Sequence, residues 1–246
     1  MKALCVIPAR YGSTRFPGKP LHPLLGRPLL AWVIDVAKKS RLTHEVIVAT
    51  DDERILELAK KENVSAVLTD SDLPSGTDRV WKAVEGSDCD IVINLQGDEP
   101  TLNPKSLDLL IEALETDSEV QMATLARAIL DVEELNSQQT AKIVLNDNSE
   151  AIYFSRLPIP FSRKPFSLDI DSVVKHIGVY GFKRSFLQKF CERGDTNLEK
   201  SEGLEQLRAL VMGARIKVVK VDSESWGVDY PHDVERVEKQ LKGRMF

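Results

Sequence analysis

Arg10, Arg15 and Lys19 place three cations on one short stretch, Pro8–Pro20 (PARYGSTRFPGKP). Pro17 and Pro20 remove backbone donors, and Gly12 and Gly18 favour turns, so the stretch is a loop and not a helix. It follows the apolar run Lys2–Ile7, whose compactness predicts a buried first strand. A loop at the carboxyl end of such a strand is where open α/β sheets bind ligands. Backbone N–H groups with three fixed cations suit a polyanion, most simply a triphosphate. The competing reading is a solvated basic turn. A Walker A loop is excluded by spacing. Five residues separate Gly12 from Gly18, and Lys19 is followed by Pro20 where that motif needs Ser or Thr.

Carboxylates that could partner such a loop occur twice. Asp98 lies in Gln96-Gly97-Asp98-Glu99-Pro100, which follows the apolar run DIVINL directly. Asp229 lies in Gly227-Val228-Asp229, after a late strand and before a helix opened by Pro231. Either one alone reads as a turn former or helix cap. Together with a triphosphate they would complete a Mg²⁺ site for phosphoryl or nucleotidyl transfer. Ser75-Gly76-Thr77-Asp78-Arg79 opens a predicted helix, where its amides and hydroxyls either cap that helix or contact an anion or base. His176 and Tyr180 stand four apart on one predicted strand, so both point to the same face. Glu205, Gln206 and Arg208 flank an apolar helical stripe and read as a solvated face.

The elements that must carry these residues alternate. Glu45–Thr50, Ser65–Leu68, Asp90–Leu95 and Val120–Ala126 read as strands. Pro28–Ser40, Glu53–Glu62, Asp78–Glu85 and Pro104–Glu115 read as helices, with Pro28 in the first turn of the first and Asp51-Asp52 capping the second. The alternation predicts βαβ units and a mostly parallel sheet. After Glu133 the rhythm changes. Ala141–Leu145, Ala151–Phe154 and Val174–Phe182 read as strands with no crossover helix between the first two, and the stretch from Leu157 to Asp171 is proline-rich and aperiodic. Residues 135–185 are therefore expected to form an antiparallel excursion, a dimerisation element on the side of a single domain spanning 1–246. Helices over Arg184–Cys191, Ser201–Met212 and Pro231–Leu241, and a strand over Ile216–Val221, complete the expectation.

Bulk properties narrow the function. A length of 246 residues supports one sizeable core. The net charge of −5 argues against a nucleic-acid partner, so the positive potential must be local. Cys5, Cys89 and Cys191 are scattered with no CxxC pair, which indicates neither a disulfide framework nor a zinc site. The opening apolar run ends at Pro8 and Arg10, too short for a signal peptide, and no run of eighteen apolar residues could span a membrane. A cytoplasmic protein without membrane insertion is expected.

Seven motifs in order carry a resemblance across the whole chain. They are IPARYGSTRFPGKPL from Ile7, SGTDR from Ser75, NLQGDEP from Asn94, YFSR from Tyr153, HIGVYG from His176, LEQLR from Leu204 and GVD from Gly227. The set resembles the 3-deoxy-manno-octulosonate (Kdo) cytidylyltransferases, or CMP-Kdo synthetases. The resemblance implies a Rossmann-like nucleotidyltransferase fold, a homodimer and Mg²⁺. The implied reaction transfers CMP from CTP to a Kdo-type sugar acid for lipopolysaccharide biosynthesis and releases pyrophosphate. By position it implies Ala9, Arg10, Ser13, Arg15 and Lys19 at the triphosphate, and Ser75, Thr77 and Arg79 at cytidine. It likewise implies Asp98 and Asp229 at the metal, with Arg15, Lys19 and both aspartates catalytic, and Gln96, Arg156, His176, Tyr180, Glu205 and Gln206 at the sugar acid.

Two departures bear on the substrate. Relatives commonly read Gly-Val-Asp-Thr-Pro-Glu-Asp where this chain has Gly227-Val-Asp-Tyr-Pro-His-Asp233, and they tend to carry an Ile-Glu pair ahead of the Leu-Glu-Gln where it has Glu199-Lys-Ser-Glu-Gly203. The 8-amino analogue of Kdo therefore stays open as a second candidate sugar. A sialic-acid-type CMP transferase and a non-catalytic nucleotide-binding subunit are two further readings. The run Gln96-Gly-Asp-Glu-Pro100 argues against the former, and the retention of both aspartates against the latter.

Overall fold

A computed structural model describes residues 1–12, 15–161, 173–222 and 225–244. In chain order the elements are β1 (Ala3–Ala9), β2 (Pro23–Leu24), β3 (Arg27–Pro28), α1 (Leu29–Lys38), β4 (Glu45–Thr50), α2 (Glu53–Lys61), β5 (Ser65–Leu68), α3 (Gly76–Val84), β6 (Ile91–Asn94) and α4 (Lys105–Thr116). There follow β7 (Val120–Ala128), α5 (Val132–Asn136), β8 (Lys142–Leu145), β9 (Ala151–Ser155), β10 (Val173–Lys183), α6 (Arg184–Arg193), α7 (Asn197–Glu202), α8 (Leu207–Val211), β11 (Arg215–Lys220) and α9 (Asp233–Arg244). The chain divides into two compact units, Met1–Ile111 with Ser223–Phe246, and Glu112–Asp222.

The first unit is built on parallel pairing. β1 pairs with β4 on one side and β6 on the other, and β4 pairs with β5. Numbered by their sequence order, these four strands run 3-2-1-4. Such an order reverses between β1 and β6, and the crevice beyond the carboxyl ends of those two strands is the place where doubly wound sheets bind ligands. The strands are apolar because helices cover both faces of such a sheet. Ala3–Ile7 and Ile91–Asn94 are buried without interruption. Helix α1 buries seven of its ten residues, which suits a helix inside the core. Pro28 stands at its N-cap position with extended backbone, one step before the helical turn expected for it. Asp52 caps α2 by accepting from Arg54 N, as the Asp51-Asp52 pair predicts.

The second unit holds the antiparallel pairing expected after Glu133. β8 pairs antiparallel with β9 and with β10, β10 pairs antiparallel with β7, and β11 returns parallel to β7. Helix α5, capped by Asp131, has no counterpart in the sequence reading, because five residues are too few to show a period. The single helix expected over Ser201–Met212 is two. Gly203 adopts φ 62° and ends α7, and α8 begins only at Leu207. Arg208 anchors this segment from within. Buried, it donates to both Glu199 oxygens (2.6 and 3.0 Å), to Asp195 (3.1 Å) and to Phe190 O (3.2 Å). The sequence reading assigns Arg208 to a solvated face. Its side chain is instead 2% exposed, because three charge-assisted bonds offset the cost of burying it.

Candidate active site

A cavity in the first unit lies just past the carboxyl ends of β1 and β6. Ala9, Arg10, Arg15, Lys19, Ser75, Arg79, Gln96 and Asp98 are among its lining residues. Residues far apart in the sequence therefore meet there. Ser13 lies outside the described residues.

The basic loop is held by its own backbone. Gly18, at φ 71°, donates from N to Tyr11 O (3.0 Å), which closes the loop and turns the chain into the short 3-10 segment Lys19–Leu21. Lys19 Nζ then reaches Asp98 Oδ2 (2.5 Å) and Val228 O (2.9 Å). Arg15 meets Asp229 Oδ1 at 3.2 Å and lies over the Tyr230 ring. Asp229 and then Tyr230 hold the Arg15 guanidinium above its ordinary range. Thus Tyr230, one of the departures from the family pattern, packs on a cation of the basic loop.

The two aspartates are brought together by backbone contact. Val228 N donates to Asp98 O (3.0 Å), and Trp226 N donates to Thr101 Oγ1 (2.7 Å). Asp233, the first residue of α9, accepts from Asp229 N (3.0 Å) and Tyr230 N (2.9 Å). That use of Asp233 explains why α9 starts two residues after Pro231. The contact also needs glycines. A Cβ on Gly97 would stand 2.9 Å from Pro8 O, and one on Gly227 would stand 3.2 Å from a Glu99 carboxylate oxygen. Gly97→Ala is expected to push the Asp98 loop off β1. It should cost about 1–3 kcal/mol of stability and lower turnover by about 10²-fold. Thermal melts and initial rates on the purified variant check both effects.

On the other wall, Ser75 accepts from Thr77 N and Asp78 N (both 3.1 Å), so its hydroxyl caps α3 while lining the cavity. Buried Thr77 accepts from Asn94 Nδ2 (3.1 Å), and Asn94 Oδ1 accepts from Gln96 Nε2 (3.0 Å). Among the described residues, this relay leaves the Gln96 side-chain carbonyl oxygen as the free end of its amide. Arg79 is almost wholly buried, bonded to Thr69 and 3.3 Å from Asp51. Burial depresses its pKa, Asp51 opposes that shift, and the Arg10 charge adds to it. Asp51 also accepts from Tyr11 N at 3.4 Å, tying the loop to Arg79. The sequence reading treats Asp51 only as part of a cap. Its position at the carboxyl end of β4 is the signal that could have marked it.

The remaining sugar-site expectations fall in the second unit. Arg156 spends its guanidinium on carbonyl oxygens, with Nε to Glu202 O (2.9 Å) and the terminal nitrogens to Gly203 O (3.2 Å) and Gln138 O (3.1 Å). Glu202 in turn accepts from Ser155 Oγ (2.7 Å) and Arg156 N (2.9 Å). Tyr180 OH donates to Gln206 Oε1 (3.1 Å), and Gln206 Nε2 is buried with no hydrogen-bond partner among the described residues. Burial, and then Glu205, holds the Tyr180 phenol far above its ordinary pKa, so it stays a donor. His176 lies 5.5 Å from the Tyr180 ring and 5.4 Å from Phe154. Burial pushes its pKa down to about 3.

The donors suit the expected metal. Among the described residues no three His, Cys, Asp or Glu cluster as an all-protein cage. Two carboxylates beside a basic loop match Mg²⁺, which is usually held by one or two carboxylates together with substrate phosphates. No helix among the described residues is long and apolar enough to cross a membrane.

Known proteins share this architecture. The family model described as Cytidylyltransferase matches residues 4–216. A 3-deoxy-manno-octulosonate cytidylyltransferase of Bdellovibrio bacteriovorus is 50% identical over 99% of both chains. The enzyme of the same name from Thermodesulfovibrio yellowstonii is 43% identical over 98% of both. A solved CMP:2-keto-3-deoxy-manno-octonic acid synthetase in complex with CTP superposes with a TM-score of 0.92 at 37% identity, covering 99% of this chain and 100% of its own. A basic loop and two aspartates gathered at the switch point of a Rossmann-like sheet, in a chain matched end to end by such relatives, make this protein a member of the 3-deoxy-manno-octulosonate cytidylyltransferase family.

Proposed function

We propose that the protein couples CTP to a Kdo-type sugar acid, giving the CMP-sugar and pyrophosphate as a cytoplasmic step toward lipopolysaccharide. The observation that carries the reading is the first-unit cavity, where Arg10, Arg15, Lys19 and Arg79 surround one space bordered by Asp98. Four cations around one cavity fit a triphosphate better than any monoanion. Ala9, Arg10, Ser13, Arg15 and Lys19 would hold the phosphates, and Ser75, Thr77 and Arg79 the cytidine. Asp98 and Asp229 would hold Mg²⁺, which when bound neutralises phosphate charge and favours the ionised hydroxyl.

The chain's own part is alignment and charge. A sugar hydroxyl oxygen bonds to the α-phosphorus as the bond from that phosphorus to the pyrophosphate oxygen breaks, and the hydroxyl proton leaves to solvent. In-line displacement of this kind needs no protein nucleophile. Arg15 and Lys19 offset the charge that grows on the departing pyrophosphate. Gln96, Arg156, His176, Tyr180, Glu205 and Gln206 are assigned to the sugar acid. The orphaned Gln206 amide supports this, because a buried donor without a partner costs about 1–3 kcal/mol that an oxygen-rich ligand would recover. Arg156 would recognise the carboxylate only with nitrogens not already given to carbonyls.

Pyrophosphate release from CTP with Mg²⁺ is the test, run with Kdo, its 8-amino analogue and sialic acid in turn. Release with Kdo supports the reading, and silence with all three would sink it. We also read residues 135–185 as an insertion in one domain through which two copies pair. Exposed Ile152, Leu157 and Phe161 support that reading, and a monomer in sedimentation equilibrium would refute it.

A further inference from the structure

Strand β10 is irregular where it carries the sugar-site expectations. His176 faces Ala126 and Ile177 faces Leu125, but the next partner, Thr124, faces Tyr180. Two extra residues, Gly178 and Val179, bulge out of the ladder. Along a regular strand, residues four apart lie about 13 Å from each other. The bulge removes half of that separation, which is why the His176 and Tyr180 rings meet at 5.5 Å.

Thr124 sits at the centre of the bulge, wholly buried. Its Oγ1 lies 2.9 Å from Val179 O, 3.4 Å from Ile177 O and 2.9 Å from His176 Nε2. A hydroxyl has one proton, and a carbonyl can only accept. The proton therefore goes to Val179 O, and the oxygen turns its lone pairs toward the imidazole. His176 Nε2 must then be the donor, which leaves Nδ1 bare. Nδ1 has no protein partner among the described residues, and it is not among their buried unpartnered atoms. Phe154 packs edge-on against the ring and fixes its plane.

We propose that Thr124 is a positioning residue that locks His176 as the Nε2–H tautomer, so that Nδ1 accepts a hydrogen bond from a sugar hydroxyl and transfers no proton. The hydroxyl part of this proposal rests on the sugar-acid reading above. The charged and titratable neighbours agree with a ring that stays neutral. Arg156 opposes a positive charge on His176, and Tyr180, under burial and the Glu205 charge, remains a phenol.

The test begins on the whole wild-type chain without substrate. Imidazole ¹H–¹⁵N correlation spectra, with His176 assigned by its loss in His176→Asn, should show a protonated Nε2 and a bare Nδ1, unchanged from pH 5 to 9. An Nδ1–H tautomer, or a titration midpoint inside that range, overturns the proposal. In Thr124→Val the tautomers should mix, and KM for the sugar acid should rise about tenfold while KM for CTP and kcat hold. Thr124→Ser, which keeps the hydroxyl, should restore both the spectrum and KM. The expected tautomer with an unchanged sugar KM in Thr124→Val overturns the acceptor role. The sugar-acid reading itself fails by a different result, no pyrophosphate release from wild-type protein.

Discussion

Asp98→Ala should lower turnover by about 10³-fold or more while leaving the fold in place. The side chain is part-exposed and pairs with Lys19, so its loss removes little of the core. What it removes is an anionic oxygen donor past the carboxyl end of β6, in the wall of the cavity that Arg10, Arg15 and Lys19 also line. Asp229→Ala should behave alike. Its backbone is held by Asp233, independently of its own carboxylate, so the loop keeps its path when the side chain is cut back. Pyrophosphate release measures the loss, and an unchanged melting curve shows that it is chemical. Near-normal rates in either variant would remove that residue from the reacting centre.

Lys19→Met is expected to cost about 10²–10³ in kcat, with a raised KM for CTP. Lys19 Nζ joins the two aspartate loops, one through the Asp98 carboxylate and the other through Val228 O. It is also held more firmly than the neighbouring loop cation, with its side chain 13% exposed where that of Arg15 is 57% exposed. Methionine keeps most of the stem and deletes the charge, so packing is nearly preserved. Lys19→Arg should recover little, because a planar fork does not fit a niche built for a compact ammonium. Steady-state kinetics in both substrates separates the two effects. A loss confined to KM would assign Lys19 to ground-state binding alone.

Much of the first unit is legible in the sequence because its signals are local. Glu45–Thr50 and Ser65–Leu68 read correctly to the residue, since short β-branched runs end at turns and caps. Ser75 shows the limit of local reading. Its type and place fit either a cap or a ligand, and it caps α3 while also facing the cavity. In the second unit the local signals are weaker. The apolar positions of the helix expected over 201–212, Leu204, Leu207, Leu210 and Val211, all follow Gly203, so periodicity says nothing of the break that the left-handed backbone makes there. Arg208 reads as solvated because its acidic partners, Asp195 and Glu199, are nine or more residues away and on other turns of chain.

The sequence by itself determined the chemistry on offer. A basic loop that cannot be helical and two aspartates each following a strand offer a site for a polyanion, because residue type and local backbone preference are properties of short segments, and the resemblance carried by the ordered motifs points to a cytidylyltransferase. Only tertiary structure decided how those groups act on one another. Asp98 and Asp229 are far apart in the chain, and glycine-dependent backbone contacts bring their loops together. His176 and Tyr180 are expected on one face from their spacing alone, but a bulge filled by Thr124 makes them neighbours. Register, bulges and close backbone approach depend on what lies across the sheet, and a partner strand is not encoded in the segment it pairs with.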